Sequence, residues 1–256
     1  MPGRPYILHE ATLPQLRELK PTTAVLPWGA TEAHNFHLPH GTDVIEGSSL
    51  AERAGQLAFD RGARIIVLPA IPFGNNEQQL DQVATISFST ATAAAILNDV
   101  ARSLTTQKID RLILLNAHGG NEFKPLVRDV QQRFGMLAVV INFFQMKPDL
   151  VKATFEIPDD HAGEMETSLL LHLRPQWVSF GNAGEGKRLP FAIEGLTQPG
   201  VWTPRPWSTV HPDTGSGDPR KATPDKGRAF FESLSAEIAN VIFAVATASK
   251  GQIPYL

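Results

Sequence analysis

The chain has no cysteine. That excludes disulfides, thiolate metal sites and a cysteine nucleophile, so any metal must be held by histidine, aspartate and glutamate. A cysteine-free chain also fits a reducing compartment. Positive charge is not in excess. The net charge of −3 leaves no basic footprint for nucleic acid or an anionic membrane. The stretch Met1–Leu16 lacks the apolar core of a signal peptide, and no uninterrupted apolar run reaches the ~18 residues of a spanning helix. No Gly-rich phosphate cradle of known spacing is present. The expectation is a cytoplasmic protein with neither nucleic acid nor membrane as partner.

What is present is ordinary globular composition, 42% hydrophobic over 256 residues. A chain of that size hides roughly 70–75% of its unfolded surface. Four apolar runs, 23–28, 63–69, 111–117 and 136–144, read as strands covered on both faces. Helical patterns alternate with them. One starts at a capping Thr42 and runs to about Arg61, and a second covers 89–107. A third covers 121–134 with Asn121 as cap, a fourth covers 163–173, and the last is opened by Thr223 and Pro224. The βα alternation predicts an α/β fold: a single three-layer α/β/α domain over residues 1–256 with a mainly parallel sheet. The Gly- and Pro-rich stretch from about Gly181 to Pro219 reads as a long surface excursion of that domain.

Three polar clusters follow the strands. "WGATEAHNFHLPHGTD" places Glu32, His34, His37, His40 and Asp43 just after the first strand. "NAHGGN" places His118 after the third. "DDHAGEMETS" places His161 and Glu166 past the fourth. Parallel sheets put ligand sites beyond the carboxyl ends of their strands, so these clusters are expected to meet at one rim. In an extended Glu-x-His pair both side chains point the same way. A donor set of His, Asp and Glu suits zinc, manganese or iron better than calcium or magnesium. Six such groups exceed the three of a mononuclear catalytic zinc, and two metals sharing a carboxylate account for them more naturally.

These motifs resemble the creatininase (creatinine amidohydrolase) family. "LPWGATEAHNFHLPHGTD", "NAHGGN" and "HAGEMETS" match its pattern in order, and "GDPRKATPDKG" is a weaker match near the end. The resemblance implies a creatininase-like fold and a metal-dependent amidohydrolase. Its substrate would be a cyclic or small amide, its C–N bond would not be an ordinary peptide bond, and the nucleophile would be a water between two divalent ions. One ion would be held by Glu32, Asp43 and His118 and the other by His34, Asp43 and Glu166, with Asp43 bridging. Zinc is expected, with manganese or iron as alternatives. His161 would be the catalytic proton carrier to the leaving nitrogen. A homohexamer is implied as well.

The pattern also departs from the family's namesake. Gly120 stands where that enzyme has a carboxylate, Ile157 where it has a tryptophan, and Asn35-Phe36 where many members have Gly-Pro. The expected substrate is therefore not creatinine. His37 and His40 read as supports of the ligands or as structural residues rather than ligands, and His9, His172 and His211 as non-catalytic. Trp202 and Trp207 could form a substrate lid or a subunit contact. Glu77 and Asp81 read as loop residues near the pocket, and Phe73 as a residue that could line it. The alternative function is a non-catalytic, metal-stabilised member of the same fold that binds a small ligand or serves as a scaffold.

Overall fold

The computed structural model describes residues 3–157 and 161–249. Strands β1 (Thr23–Trp28), β2 (Ile65–Val67), β3 (Arg111–Asn116) and β4 (Leu137–Asn142) form one sheet in the order β2-β1-β3-β4, with every pair parallel. Parallel pairing requires a crossover between strands. Helix α2 (Thr42–Asp60) links β1 to β2, α3 (Thr90–Thr106) links β2 to β3, and α4 (Lys124–Phe134) links β3 to β4. Outside these lie α1 (Leu13–Leu19), α5 (Pro148–Thr154), α6 (Glu164–Leu173), the short α7 (Trp207–Val210) and α8 (Pro224–Thr247).

The alternation of side chains along each strand separates two cores. Val25, Ile65, Val67, Ile113, Leu115 and Ile141 face one way and pack with residues of α2, α6 and α8. Ala24, Leu26, Trp28, Ile66, Leu112 and Leu114 face the other way and pack with α3 and α4. The result is the expected α/β/α sandwich, with strands apolar on both faces because both are covered. On the first face, α8 lies against α2 and α6. Its apolar run is long enough by length and composition to cross a membrane. Phe230, Leu234, Ile238 and Ile242 are nevertheless buried in the first core, as in a core helix. At Gly227 a Cβ would overlap the Ser168 carbonyl of α6, so only glycine permits this close crossing.

The order β2-β1-β3-β4 positions the site. The chain leaves β1 onto one face through α2 and leaves β3 onto the other through α4. The crevice between the carboxyl ends of β1 and β3 is therefore the switch point where open parallel sheets bind ligands.

Three local expectations are corrected. Gly41, not Thr42, precedes α2; Thr42 lies in the first turn and its hydroxyl donates to the Pro39 carbonyl at 2.7 Å. Asn121 does not cap α4, which begins at Lys124 with Pro125 in its first turn. The Asn121 side chain instead accepts from Asn75 N at 3.1 Å and donates to Asn116 Oδ1 at 3.1 Å. The second strand is only Ile65–Val67, because it is an edge strand that pairs with Thr23–Val25 alone within the sheet. Helices α1 and α5 lie outside the expected patterns. Thr223 does cap α8, accepting from Lys226 N at 3.2 Å.

Candidate metal centre

The turn after β3 is built by Asn116. Its Oδ1 accepts from His118 N at 3.1 Å, and its Nδ2 donates to the His118 carbonyl at 3.0 Å. The His118 ring then donates from Nε2 to the Asn75 carbonyl at 3.1 Å, which leaves Nδ1 as the lone-pair nitrogen facing the crevice. Gly120 is needed for this arrangement. A Cβ there would lie 2.5 Å from the Asn75 oxygen and closer still to His118 Nε2. The carboxylate that the family's namesake carries at this place would therefore not fit beside the ring.

His118 Nδ1 lies 3.0 Å from Glu32 Oε1 and 3.0 Å from Asp43 Oδ2. Asp43 stands in the first turn of α2, where the helix dipole favours a carboxylate. Its other oxygen, Oδ1, is 2.8 Å from His34 Nε2. The His34 ring is oriented from behind by the Glu32 carbonyl, 3.1 Å from Nδ1. Glu166 Oε2 lies 3.9 Å from His34 Nε2 and also accepts from Ala162 N at 2.5 Å. The outcome is two triads with a shared member: Glu32, Asp43 and His118, and His34, Asp43 and Glu166. Each triad holds its three donor atoms within 4.8 Å of one another. His161 closes a third group with Glu32 and His34.

This donor set fits a divalent cation, as its own electrostatics show. Glu32, His34, Asp43 and His118 are all buried. Burial opposes a charged imidazole, yet the Asp43 carboxylate beside it holds His34 up to about 10. For His118, burial again opposes the charge, but Glu32 and Asp43 raise its pKa well above the usual value. Burial likewise opposes ionising Glu32 and Asp43, and the facing rings hold both carboxyls below their ordinary values. Lone pairs converging at about 3 Å with no room for water demand positive charge between them. Protons supply it in the free chain, and a divalent ion displaces them.

His161 sits differently. Nε2 donates to the Ala33 carbonyl at 2.8 Å, and Nδ1 is 3.8 Å from Glu32 Oε1. Burial and then the His34 charge push it down to about 4, so the resting ring is neutral rather than poised near neutrality. Its backbone is bridged to Ser216 in both directions. That bridge brings in the excursion: the Trp207 ring meets His161 edge-on at 5.1 Å and stacks on His211 at 4.2 Å. Trp207 is buried while Trp202 is 81% exposed, so the two tryptophans do not share a role. His211, read as non-catalytic, is fully buried and stacked on Trp207.

His37 and His40 lie outside the triads. His37 Nε2 is 2.8 Å from Thr167 Oγ1, beside Glu166, and the His40 ring donates to the Val83 carbonyl at 2.9 Å. His37 thus touches the helix that carries Glu166, while the His40 ring ties its loop to Val83. Glu77 and Asp81 bond to Ser87 and Ser208, and the Phe73 carbonyl accepts from Trp28 Nε1 at 2.9 Å. Two residues that sequence reasoning passed over reach the centre: Asn75 through its carbonyl and Gln79 through its amide, which donates to Glu32 Oε2. Neither lies in a motif. Their only signal is a polar stretch in the connection between β2 and α3.

The parallel sheet, the switch point and the shared His/Asp/Glu triads define a metal-binding α/β hydrolase. The family described as creatininase, creatinine amidohydrolase, matches residues 9–242, and the chain belongs to it. A crystal structure from Bacteroides fragilis NCTC 9343, provisionally assigned as a creatinine amidohydrolase, superposes with a TM-score of 0.90 at 37% identity, covering 96% of this chain and 98% of that one. A solved creatininase superposes at 0.80 with 21% identity over 95% and 99%. Related creatininase structures are described as a Zn-Zn type and a manganese form. Among curated proteins, the mycofactocin precursor peptide peptidase of Mycobacterium tuberculosis (strain CDC 1551 / Oshkosh) is 30% identical over 234 residues, 89% of this chain and 86% of its own.

Proposed function

We propose that this creatininase-family amidohydrolase is binuclear and cleaves the C–N bond of a small or peptide-derived amide. The observation that carries the reading is that Asp43 belongs to both donor triads. Glu32, Asp43 and His118 would hold one ion and His34, Asp43 and Glu166 the other, with zinc favoured and manganese or iron possible by donor type. Bound ions supply polarisation of the amide carbonyl and a water acidified toward neutral pH. His161 is the proton carrier. Its Nε2 is committed to Ala33, so Nδ1 is the atom that takes a proton from the attacking water and passes it to the leaving nitrogen. Glu32, Asp43 and Glu166 are engaged as ligands, and Gly120 offers no carboxylate in its place.

The substrate expectation from sequence, a cyclic or small amide other than a peptide bond, is widened by the relatives. The peptidases support a peptide-derived amide, and the creatininase structures support a compact cyclic one. The test is a metal-loaded chain assayed by mass spectrometry against lactams, formamides and short peptides. Hydrolysis of one class with two ions per chain is expected, and His161→Ala should keep both ions while turnover falls by roughly 10²–10⁴-fold. Two bound ions with no hydrolysis of any class would favour the non-catalytic alternative. We also propose a cytoplasmic homo-oligomer, with a hexamer favoured. The exposed Leu189, Phe191, Ile193 and Trp202 support subunit contacts. Light scattering at the mass of one 27.9 kDa chain would refute the oligomer.

A further inference from the structure

The two oxygens of Glu32 have different neighbours. Oε1 faces His118 Nδ1 at 3.0 Å, whereas Oε2 accepts a hydrogen bond from Nε2 of Gln79. Both side chains are 1% exposed. Gln79 ends the short 3-10 turn Glu77–Gln79, and that turn packs against α7, which carries Trp207. The other end of the Gln79 amide, Oε1, is buried with no hydrogen-bond partner among the described residues. A buried acceptor left unmatched costs roughly 1–3 kcal/mol. Turning the amide over would set its oxygen against the Glu32 oxygen, lone pair against lone pair, so the orientation is fixed. Methionine or leucine would fill the same space and remove the unmatched amide oxygen, but would strip Glu32 Oε2 of its donor. The reason for a glutamine here therefore lies in Glu32 and not in packing. What the amide contributes is a donor that occupies Oε2 and leaves Oε1 as the ligand-facing oxygen.

We propose that Gln79 is a positioning residue for the candidate metal centre, holding Glu32 so that Oε1 joins Asp43 Oδ2 and His118 Nδ1. The inference rests on the binuclear reading. The same loop orients His118 through the Asn75 carbonyl. Both members of the first triad that are not shared with the second are thus set from residues 75–79. In the second triad, His34 is oriented by the Glu32 carbonyl, and Glu166 accepts from Ala162 N. The effect of losing the Gln79 donor is accordingly confined to one of the two ions.

The test titrates metal-stripped wild type, Gln79→Met and Gln79→Leu with Co²⁺. Uptake is followed by calorimetry and by the visible absorption of the bound ion, with thermal melting of the metal-free chains alongside. Gln79→Met keeps the volume and removes the donor. One ion should bind about 10–100-fold more weakly, the usual cost of losing a support behind a ligand, while the other stays within about threefold. Gln79→Leu provides a second donor-free variant should the first not fold, and it should weaken the same ion. Both ions binding within about threefold of wild type in these variants would overturn the proposal. Equal weakening of both ions together with a lowered melting temperature would overturn it too, because that is general damage. A wild-type chain that takes up fewer than two ions overturns the binuclear reading and this inference with it. Two ions in wild type and two unchanged in the variants overturn the Gln79 role alone.

Discussion

Residues 28–43 and residues 187–206 are stretches of comparable length, and both run mostly without regular secondary structure. In the first, Glu32, His34, His37 and Asp43 are buried; His34 bonds the Glu32 carbonyl and the Asp43 carboxylate, and His37 bonds the Thr167 hydroxyl. In the second no residue is buried, and Leu189, Phe191, Ile193, Val201 and Trp202 are exposed. Order in an irregular segment thus comes from partners, not from repeating backbone bonds. The first segment has them because the sheet supplies β1 and β3 side by side. The second faces outward, and the residue that follows it, Trp207, reaches His161.

The largest expected effect is at the shared carboxylate. Asp43→Ala should abolish binding of both ions, whereas Glu32→Ala or Glu166→Ala should mainly weaken one. Elemental analysis finding two ions per chain in Asp43→Ala would show that the triads do not share it. Next in size is the wedge. Trp207 is 3% exposed between two histidine rings, and Trp207→Ala should cost about 3–5 kcal/mol in urea unfolding. A cost below about 1 kcal/mol would mean that the excursion is not anchored there.

A smaller effect follows from pH. The His34 pKa of about 10 means that a proton competes with metal throughout the neutral range. Apparent affinity for Mn²⁺ should therefore rise with pH between 6 and 9, by about tenfold per unit for each proton displaced, and flatten as pH approaches 10. The sign for folding of the metal-free chain is the reverse. A raised imidazole pKa contributes stability that is fully present below 6.5 and is lost as pH rises through about 10. Calorimetry in two buffers of different ionisation enthalpy counts the released protons, and a pH-independent affinity would remove His34 from the ligand set. The smallest effect is at Trp202. Trp202→Ala should change the stability of a monomeric chain by no more than about 0.5 kcal/mol. A larger, concentration-dependent loss would show that another copy covers it.

Legibility followed the same division. Strand Thr23–Trp28 and the cap at Thr223 are readable because apolar runs and hydroxyl caps act locally. All five candidate ligands are brought together because their motifs sit at strand ends or a helix start, where the fold leaves little freedom. The starts of α2 and α4 were misread for one reason. Thr42 and Asn121 have the chemistry of caps but spend it elsewhere, on Pro39 and on the Asn75–Asn116 pair. Gln79 is invisible in sequence because a lone glutamine in a turn gains meaning only from what faces it. The depressed pKa of His161 is invisible for the same reason, since burial is a property of the assembled chain.

The strand order also sets a timetable. β1 is an interior strand, flanked by β2 and by β3, and β3 begins at Arg111. During synthesis at about 5–20 residues per second, β1 waits several seconds with one edge bare before its second neighbour emerges. More than half of the chain separates Glu32 from Glu166, so the second donor triad cannot close until α6 has docked, whereas the first needs only the end of β3. A chain interrupted after α3 would carry a two-stranded ribbon and only the first of the three ligand clusters. On the binuclear reading, uptake of the second ion is a late event, and its onset during refolding should mark completion of the domain rather than its nucleation.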